Sequence, residues 1–411
     1  MIKSLRGFRD ILYPESKKFT EFENIARRVM DAFGYKEIRV PVMEQKELFI
    51  KSTGETSDIV SKEMYTLEDA GGRNLALRPE ATPGIVRAYL ENGLYNTQPV
   101  QKLFCIGNMF RAERPQKGRY REFEQIDVEY IGNPNPSADA EVIILLDKIF
   151  KQAQVEGYTI ELNSLGCPKC RPPYREKLLS FLKQNEDKLC ENCVERIEKN
   201  PLRSLDCKTD KLWLRDKAPK MKLCLDCENQ FNQVQELLTA SGLKFKFNPN
   251  MVRGLDYYSK TVFEFKSVEI GSQDAIAGGG RYDSLIKSMG GPDIPSIGWA
   301  MGVERVLSII KKEPKAVYPL AFVISADKEG QTRAFVMMQE LQNAEIQTGG
   351  GLFSQSLKSQ MRVADKTNAK YALILGEEEI KSNSVTVKNL KSGSQEKIAR
   401  DKIINFLEKN K

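Results

Sequence analysis

Arg111, Arg114, Lys117, Arg119 and Arg121 crowd into one short stretch of the chain. Five cations that close repel one another unless something anionic sits among them, and the planar arginine fork suits phosphate and carboxylate. Acids are interleaved (Glu113, Glu122, Glu124, Asp127, Glu129), so the plain alternative is a salt-bridged hairpin surface. That alternative predicts lysine and glutamate more than arginine, and gives no reason for Pro115 and Gly118 in so long a loop. A nucleotide-phosphate site is the favoured reading. A second cluster has different chemistry. Seven of the eight cysteines fall between 167 and 227, as the pairs Cys167/Cys170, Cys190/Cys193 and Cys224/Cys227 with Cys207 alone. Two thiolates three residues apart can share one tetrahedral ion. Four thiolates make one site, and a second site needs three cysteines plus another ligand. A structural zinc is expected and a catalytic one is not; the alternative is a set of reduced, buried thiols. Cys105, in an apolar run, reads as inert core.

The chain of 411 residues contains no histidine. No side chain therefore has an ordinary pKa near neutrality. A Ser-His-Asp triad, a histidine-ligated zinc and an imidazole proton shuttle are excluded, which leaves an all-cysteine site as the expected form of zinc binding. The apolar fraction of 41% and charged fraction of 29% are those of a globular protein with room for two or three domains. A net charge of +7 is compatible with a nucleic-acid partner without demanding one. No apolar stretch reaches the ~18 residues of a membrane span, and the first residues hold no apolar signal-peptide core. The cytoplasm is the expected location.

The charged loop needs two strands to hold it. Leu103–Phe110 reads as one; Phe123, Ile126, Val128 and Tyr130 announce the other, with an alternation that slips after Phe123. Upstream, a helix is expected from about Glu15 to Phe33, then a strand Glu37–Val42 interrupted by Pro41. A short helix and a polar loop follow at 45–62, then two strands around Gly71-Gly72. Arg78-Pro-Glu-Ala-Thr-Pro83 leads into a helix reaching about Leu90, with Thr82 placed to cap it. A helix at Asp139–Gln154 and a strand at 158–162 precede the cysteines; helices are expected at 174–200 and 224–240. Val252-Arg-Gly-Leu-Asp-Tyr-Tyr258 mixes an arginine, a glycine, an acid and two tyrosines, the composition of a binding site. Thr261–Phe265 is a strand, and Ala277-Gly-Gly-Gly-Arg-Tyr-Asp283 lets the backbone approach a ligand closely. Residues 294–310 form a strand, a glycine and a helix. Beyond a charged linker, 318–411 read β-α-β-α-β-β-α, which predicts a mainly parallel sheet.

Phe110-Arg-Ala-Glu-Arg114 with Arg119-Tyr-Arg-Glu-Phe123 resembles motif 2 of the class II aminoacyl-tRNA synthetases. The helix and proline-bearing strand resemble motif 1, and 294–310 resembles motif 3. Arg114-Pro-Gln-Lys-Gly-Arg-Tyr-Arg121, Val252–Tyr258 and Ala277–Asp283 are particularly similar to histidyl-tRNA synthetases, and the resemblance runs along essentially the whole chain. It implies an α/β (α+β) fold: a catalytic domain on an antiparallel sheet at 1–316, a small helical cysteine-rich insertion at 166–240 that leans over the tRNA acceptor stem, and a mixed α/β anticodon-binding domain at 317–411. It implies a homodimer that uses ATP and Mg2+ to activate L-histidine and passes it to tRNA(His). By the same resemblance Arg111 holds the α-phosphate, Arg305 the γ-phosphate, and Arg253 the attacking carboxylate and α-phosphate. Glu113, Arg119, Tyr120, Arg121 and Phe123 complete the nucleotide site. Glu80, Thr82 and Gln125 seat the α-ammonium, Glu129 and Tyr258 read the imidazole, and Tyr257 joins them; Gln116 and Lys117 meet the tRNA acceptor end. Where the family often has histidine this chain has Arg9, Ala112 and Glu124, so no protein imidazole can serve as base for aminoacyl transfer. The competing expectations are a paralogue serving as regulatory subunit of an ATP phosphoribosyltransferase, and a class IIa synthetase for another amino acid, against which Val252–Tyr258 speaks.

Overall fold

The computed structural model describes residues 2–54, 57–116, 118–207, 209–271, 274–311 and 318–410. The chain divides into two units, Met1–Pro314 and Lys315–Lys411, at a boundary outside the described residues. The strands of the first unit are β1 (Lys36–Glu37), β2 (Met43–Gln45), β3 (Thr66–Glu68), β4 (Asn74–Leu77), β5 (Gln101–Phe110), β6 (Glu122–Ile131), β7 (Tyr158–Ser164), β8 (Lys246–Phe247), β9 (Ser259–Ser267), β10 (Ala275–Arg281) and β11 (Ser296–Gly302). Eight of them form one sheet in the order β1-β5-β6-β11-β10-β9-β7-β8. Its edge pairs, β1/β5 and β7/β8, are parallel, and the pairs between them are antiparallel. The strand expected at Glu37–Val42 is reduced to two residues, because Pro41 has no N–H to give the ladder. A small sheet, β2-β4-β3, lies beside the entrance to the charged loop.

One face of the large sheet is covered by helices. Glu15–Ala32 buries Phe19, Phe22, Ala26, Val29 and Met30, a stripe at helical spacing. Pro136–Gln152 buries Val142, Leu145, Leu146, Ile149 and Phe150 against the same face. Trp299 of β11 donates its indole N–H to the Val142 carbonyl at 3.0 Å, tying sheet to helix. The helix Leu225–Ala240 inserts Phe231, Val234 and Leu238 into this same core. Residues 171–218 instead gather around a separate small core of Tyr174, Leu178, Leu182, Ile197, Leu205, Leu214 and Ala218. The helical segments expected at 174–200 are Arg171–Gln184 and Glu191–Lys199, with Lys211–Lys217 following.

The second unit has strands β12 (Ala321–Ser325), β13 (Thr348–Gly349), β14 (Tyr371–Leu375), β15 (Ser384–Asn389) and β16 (Gln395–Ala399), ordered β13-β12-β14-β15-β16. Two pairings are parallel and two antiparallel, so the sheet is evenly mixed, not mainly parallel. The residue pattern of 318–411 gives no sign of β16, an edge strand with four of five residues exposed. Nor does it announce the helix Glu377–Lys381, a five-residue turn.

Arg281 and Asp139, both fully buried, join β10 to the start of the helix Pro136–Gln152. The guanidinium Nε donates to Asp139 at 3.0 and 3.1 Å, and its terminal nitrogens reach the Asn133 and Asn135 carbonyls. Removing Asp139 leaves the buried Arg281 charge only the partly exposed Asp283, at 3.2 Å, in place of its buried partner. Asp139→Ala is expected to destabilise the first unit by about 3–5 kcal/mol, read as a lowered unfolding midpoint of that unit in calorimetry.

Candidate active site

Along β6, Ile126, Val128 and Tyr130 enter the helix-covered core. Strand alternation therefore turns Gln125, Asp127 and Glu129 to the opposite face. Phe123 belongs to this second set, so the apparent slip in its alternation is a change from core to cleft face. Its ring lies under the Arg111 guanidinium, 5.3 Å away. Facing the three polar residues across the ladder, β11 carries Gly302, Ala300 and Gly298. β10 continues the floor with Gly278 and Gly280. A Cβ on Gly298 would lie 2.1 Å from Glu129 Oε2, and one on Gly278 would lie 2.4 Å from Arg253 Nη1. These small residues open a cleft of about 750 Å³.

The cleft has an acidic closed end. Glu80 accepts from Thr53 Oγ1 at 3.1 Å and from the Tyr257 hydroxyl at 3.0 Å. Thr82 is the first residue of the helix Thr82–Glu91 and does not cap it; its hydroxyl donates to Glu129 Oε1 at 2.6 Å. Tyr282 donates to the other Glu129 oxygen. Gln125 Nε2 donates to Asp127 Oδ1 at 2.5 Å. Burial raises Glu80 and Glu129 above the ordinary carboxylate range and pushes Asp127 up to about 7. Tyr257 and Tyr258 stand ring to ring at 4.7 Å, with Arg253 over the Tyr258 ring at 5.4 Å.

Cations occupy the other end. Arg253 is paired with Glu264 at 2.6 Å, and Arg111 Nε donates to the Pro79 carbonyl at 2.9 Å. Arg119 pairs with Glu113 at 2.7 Å, and Gln116 and Arg119 close a tight turn across Gly118. A recess of about 180 Å³ adjoins the cleft and is lined by Arg119, Tyr120, Phe123, Gly278 and Arg305. Burial, with Arg119 beside it, holds Arg305 down to about 10. Of the residues singled out in the sequence, Glu80, Thr82, Arg111, Gln116, Gln125 and Glu129 line the cleft, as do Glu113, Arg119, Arg253, Tyr257 and Tyr258. Tyr120, Phe123 and Arg305 line the recess. Arg121 lines neither: its guanidinium donates to the carbonyls of Glu113 and Arg6, and its stem packs on Gly7. Lys117 lies outside the described residues. Asp127, Tyr282 and Thr53 carry no role in the sequence reading. The spacing 125/127/129 would have found Asp127, and Tyr282 stands in the stretch Ala277–Asp283 already singled out; Thr53 is brought in only by the tertiary fold.

The insertion reaches the same cleft. Arg203 pairs with Asp58 at 2.5 Å and donates to the Arg253 carbonyl at 3.3 Å; Asn200 donates to Asp256 at 2.8 Å. Its cysteines separate into two groups. Cys167, Cys170, Cys224 and Cys227 form one; Cys190, Cys193, Cys207 and Asp210 form the other, each with its ligand atoms within 4.8 Å of one another. All these thiols are free. A tetrahedron of thiolates around zinc has sulfur–sulfur edges of about 3.8 Å. The observed separations are 3.7 Å for Cys167–Cys170, 3.9 Å for Cys167–Cys224 and 3.5 Å for Cys190–Cys207. The three pairs read from sequence thus do not share one site: Cys190 and Cys193 stand apart from the other four.

A mostly antiparallel sheet, its long hairpin and its last strand–helix junction thus place arginines around one cleft and its recess. A family model described as histidyl-tRNA synthetase matches residues 7–306, and one described as an anticodon binding domain matches 320–410. The histidine–tRNA ligase of Elusimicrobium minutum is 54% identical over 98% of both chains. That of Solidesulfovibrio magneticus is 46% identical over 97% of this chain and 96% of its own. Among solved structures, the apo histidyl-tRNA synthetase of S. aureus superposes with a TM-score of 0.82 at 31% identity, covering 99% of this chain and all of the other. The chain belongs to the histidyl-tRNA synthetase family.

The raised Asp127 gives a signed pH dependence. Its unfolded carboxyl loses its proton near ~3.9, whereas the folded one keeps it up to about 7. Between those values the folded state binds more protons, so this group lowers stability as pH rises through that window. Thermal unfolding of the ligand-free protein from pH 4 to 8 checks it: Asp127→Asn is expected to remove this part of the decline, leaving a flatter profile than the parent chain.

Proposed function

We propose that the chain is a histidine–tRNA ligase: it activates L-histidine with ATP to histidyl-adenylate and transfers the histidyl group to the 3′ end of tRNA(His). The observation that carries this is the polarity of the cleft, with Glu80 and Glu129 buried at one end and Arg111 and Arg253 at the other. An amino acid has that polarity itself. Its ammonium is matched by Glu80, Thr82 and Gln125, and its carboxylate by Arg253 and Arg111. The imidazole lies toward Glu129 and Tyr258, which offer an acceptor and a hydroxyl to the two ring nitrogens. An analogue without those nitrogens leaves both partners buried and unpaired, which is the basis of rejection.

ATP enters as its Mg2+ complex. Arg111 holds the α-phosphate and Arg305 the γ-phosphate, with Tyr120 and Phe123 at the wall of the recess. The carboxylate attacks the α-phosphorus and pyrophosphate leaves. The chain's contribution is positioning and charge neutralisation by fixed guanidinium groups. No protein imidazole is present to take the ribose proton during transfer, so a phosphate oxygen of the adenylate takes it. Gln116 and the turn around it meet the tRNA acceptor end, and the unit Lys315–Lys411 reads the anticodon. The chain works as a homodimer, a reading supported by the exposed apolar side chains Leu12, Val42 and Met43 near the first helix and strand. Cys167, Cys170, Cys224 and Cys227 hold a structural zinc. Their spacing fits the thiolate tetrahedron, and the Cys224 N–H donates to Cys170 Sγ at 3.2 Å. No helix among the described residues is long and apolar enough to cross a membrane, in keeping with a cytoplasmic enzyme.

ATP–pyrophosphate exchange with each amino acid in turn tests the reading; exchange with histidine alone is expected. Histidine binding with no exchange would favour the regulatory-subunit paralogue. Arg111→Ala is expected to cut histidine-dependent exchange by about 10²–10³-fold while the protein stays folded. Glu129→Gln, which removes the carboxylate acceptor at the imidazole end of the cleft, is expected to raise KM for histidine far more than KM for ATP.

A further inference from the structure

We propose that Cys190, Cys193, Cys207 and Asp210 form a second zinc site, of three thiolates and one carboxylate, that holds the insertion against the catalytic cleft. Cys207 and Asp210 repeat the two-residue spacing of the cysteine pairs with a carboxylate in the last place. Asp210 directly precedes the helix Lys211–Lys217, where an aspartate ordinarily caps the first turn. Here its side chain makes no capping bond. It is 3% exposed and turned to the thiols, and it accepts the Cys190 N–H at 3.0 Å. The donors around this buried carboxylate, the Cys190 N–H and the thiols, are neutral, and a cation is the partner that would balance its charge. On binding, the three thiols release their protons and their thiolates join the carboxylate around the ion. Soft sulfur donors with tetrahedral packing select zinc over the hard divalent cations.

The placement of this site gives it a function. Cys193 and Cys207 bracket residues 194–206, and from that span several bonds run to the cleft side of the catalytic domain. Arg196 and Arg203 reach Asp58, Arg203 reaches the Arg253 carbonyl, and Asn200 reaches Asp256. Cys207 and Thr209 themselves line the cleft. The insertion's own core is seven buried apolar residues, the size at which small units rely on a staple. The ion closes the span at its two ends and so fixes Arg203 over the backbone of Arg253.

The metal content is measured independently of the proposed ligase activity; only the kinetic arm rests on that activity. Full-length protein purified under reducing conditions is expected to carry two zinc ions per chain. Cys193→Ser/Cys207→Ser is expected to carry one and Cys167→Ser/Cys224→Ser to keep one. In the cobalt-substituted protein, Asp210→Cys is expected to strengthen the thiolate-to-metal charge-transfer band at unchanged stoichiometry. In the kinetic arm, Cys193→Ser/Cys207→Ser and Arg203→Ala each raise KM for histidine in exchange by about tenfold, the size of an ordinary coupling between sites, and Arg203→Ala does so with both ions in place. One zinc in the parent chain that survives Cys193→Ser/Cys207→Ser overturns the site. Two ions with an unchanged KM in both variants overturn its role at the cleft.

Discussion

Burial of three carboxylates on one side of a sheet is the constraint from which the rest of the catalytic unit follows. Among the described residues Glu80, Asp127 and Glu129 have no ion-pair partner in direct contact, and each is held by neutral donors: hydroxyls of Thr53, Thr82, Tyr257 and Tyr282, and the Gln125 amide. Neutral donors satisfy lone pairs without cancelling charge, so the site stays poised for a cation. Such a pocket costs stability in the empty protein. It survives because a large apolar core on the other side of the same strands, anchored by Trp299 and the Arg281–Asp139 pair, fixes the sheet beneath it.

The two faces are inseparable because they share backbone. Each apolar residue that β6 gives to the core sets a polar one into the cleft, and β11 complements it by alternating Ile297, Trp299 and Met301 with glycine and alanine. Bulk on one face and emptiness on the other give a rigid concavity with no loop at its floor. The arginines stand at the cleft's rim and in its recess, where motif loops and the strand–helix junction deliver them. The guanidinium groups of Arg111, Arg119 and Arg253 are each anchored by a carbonyl, a carboxylate or an aromatic ring, so these cations are already in position before any anion arrives.

Much of this is legible in the sequence. The strands around the charged loop, the helix stripes, the binding character of Val252–Tyr258 and the metal-ligand spacing of the cysteines all stand in local pattern, and the fold gathers nearly all of the expected residues around one cleft and its recess. What is not legible is what needs three dimensions. Thr82 looks like a helix cap until Glu129, far away along the chain, takes its hydroxyl. Arg121 looks like its arginine neighbours, but its guanidinium is taken up by the carbonyls of Glu113 and Arg6. Cysteine spacing shows that ions can be held but not which pairs meet, and Asp210 is hidden because an aspartate before a helix already has an ordinary explanation. The edge strand β16 escapes because its residues are mostly exposed and leave no apolar pattern.

The span 194–206 is flanked at both ends by cysteines of the proposed metal site, and from within it Arg203 bonds the backbone of Arg253. A segment held this way passes free energy in both directions, and equally. If the ion tightens the hold on histidine, bound histidine must tighten the hold on the ion by the same factor. An enzyme at work on its amino acid then loses its metal more slowly than an idle one, and chelators strip the resting population first.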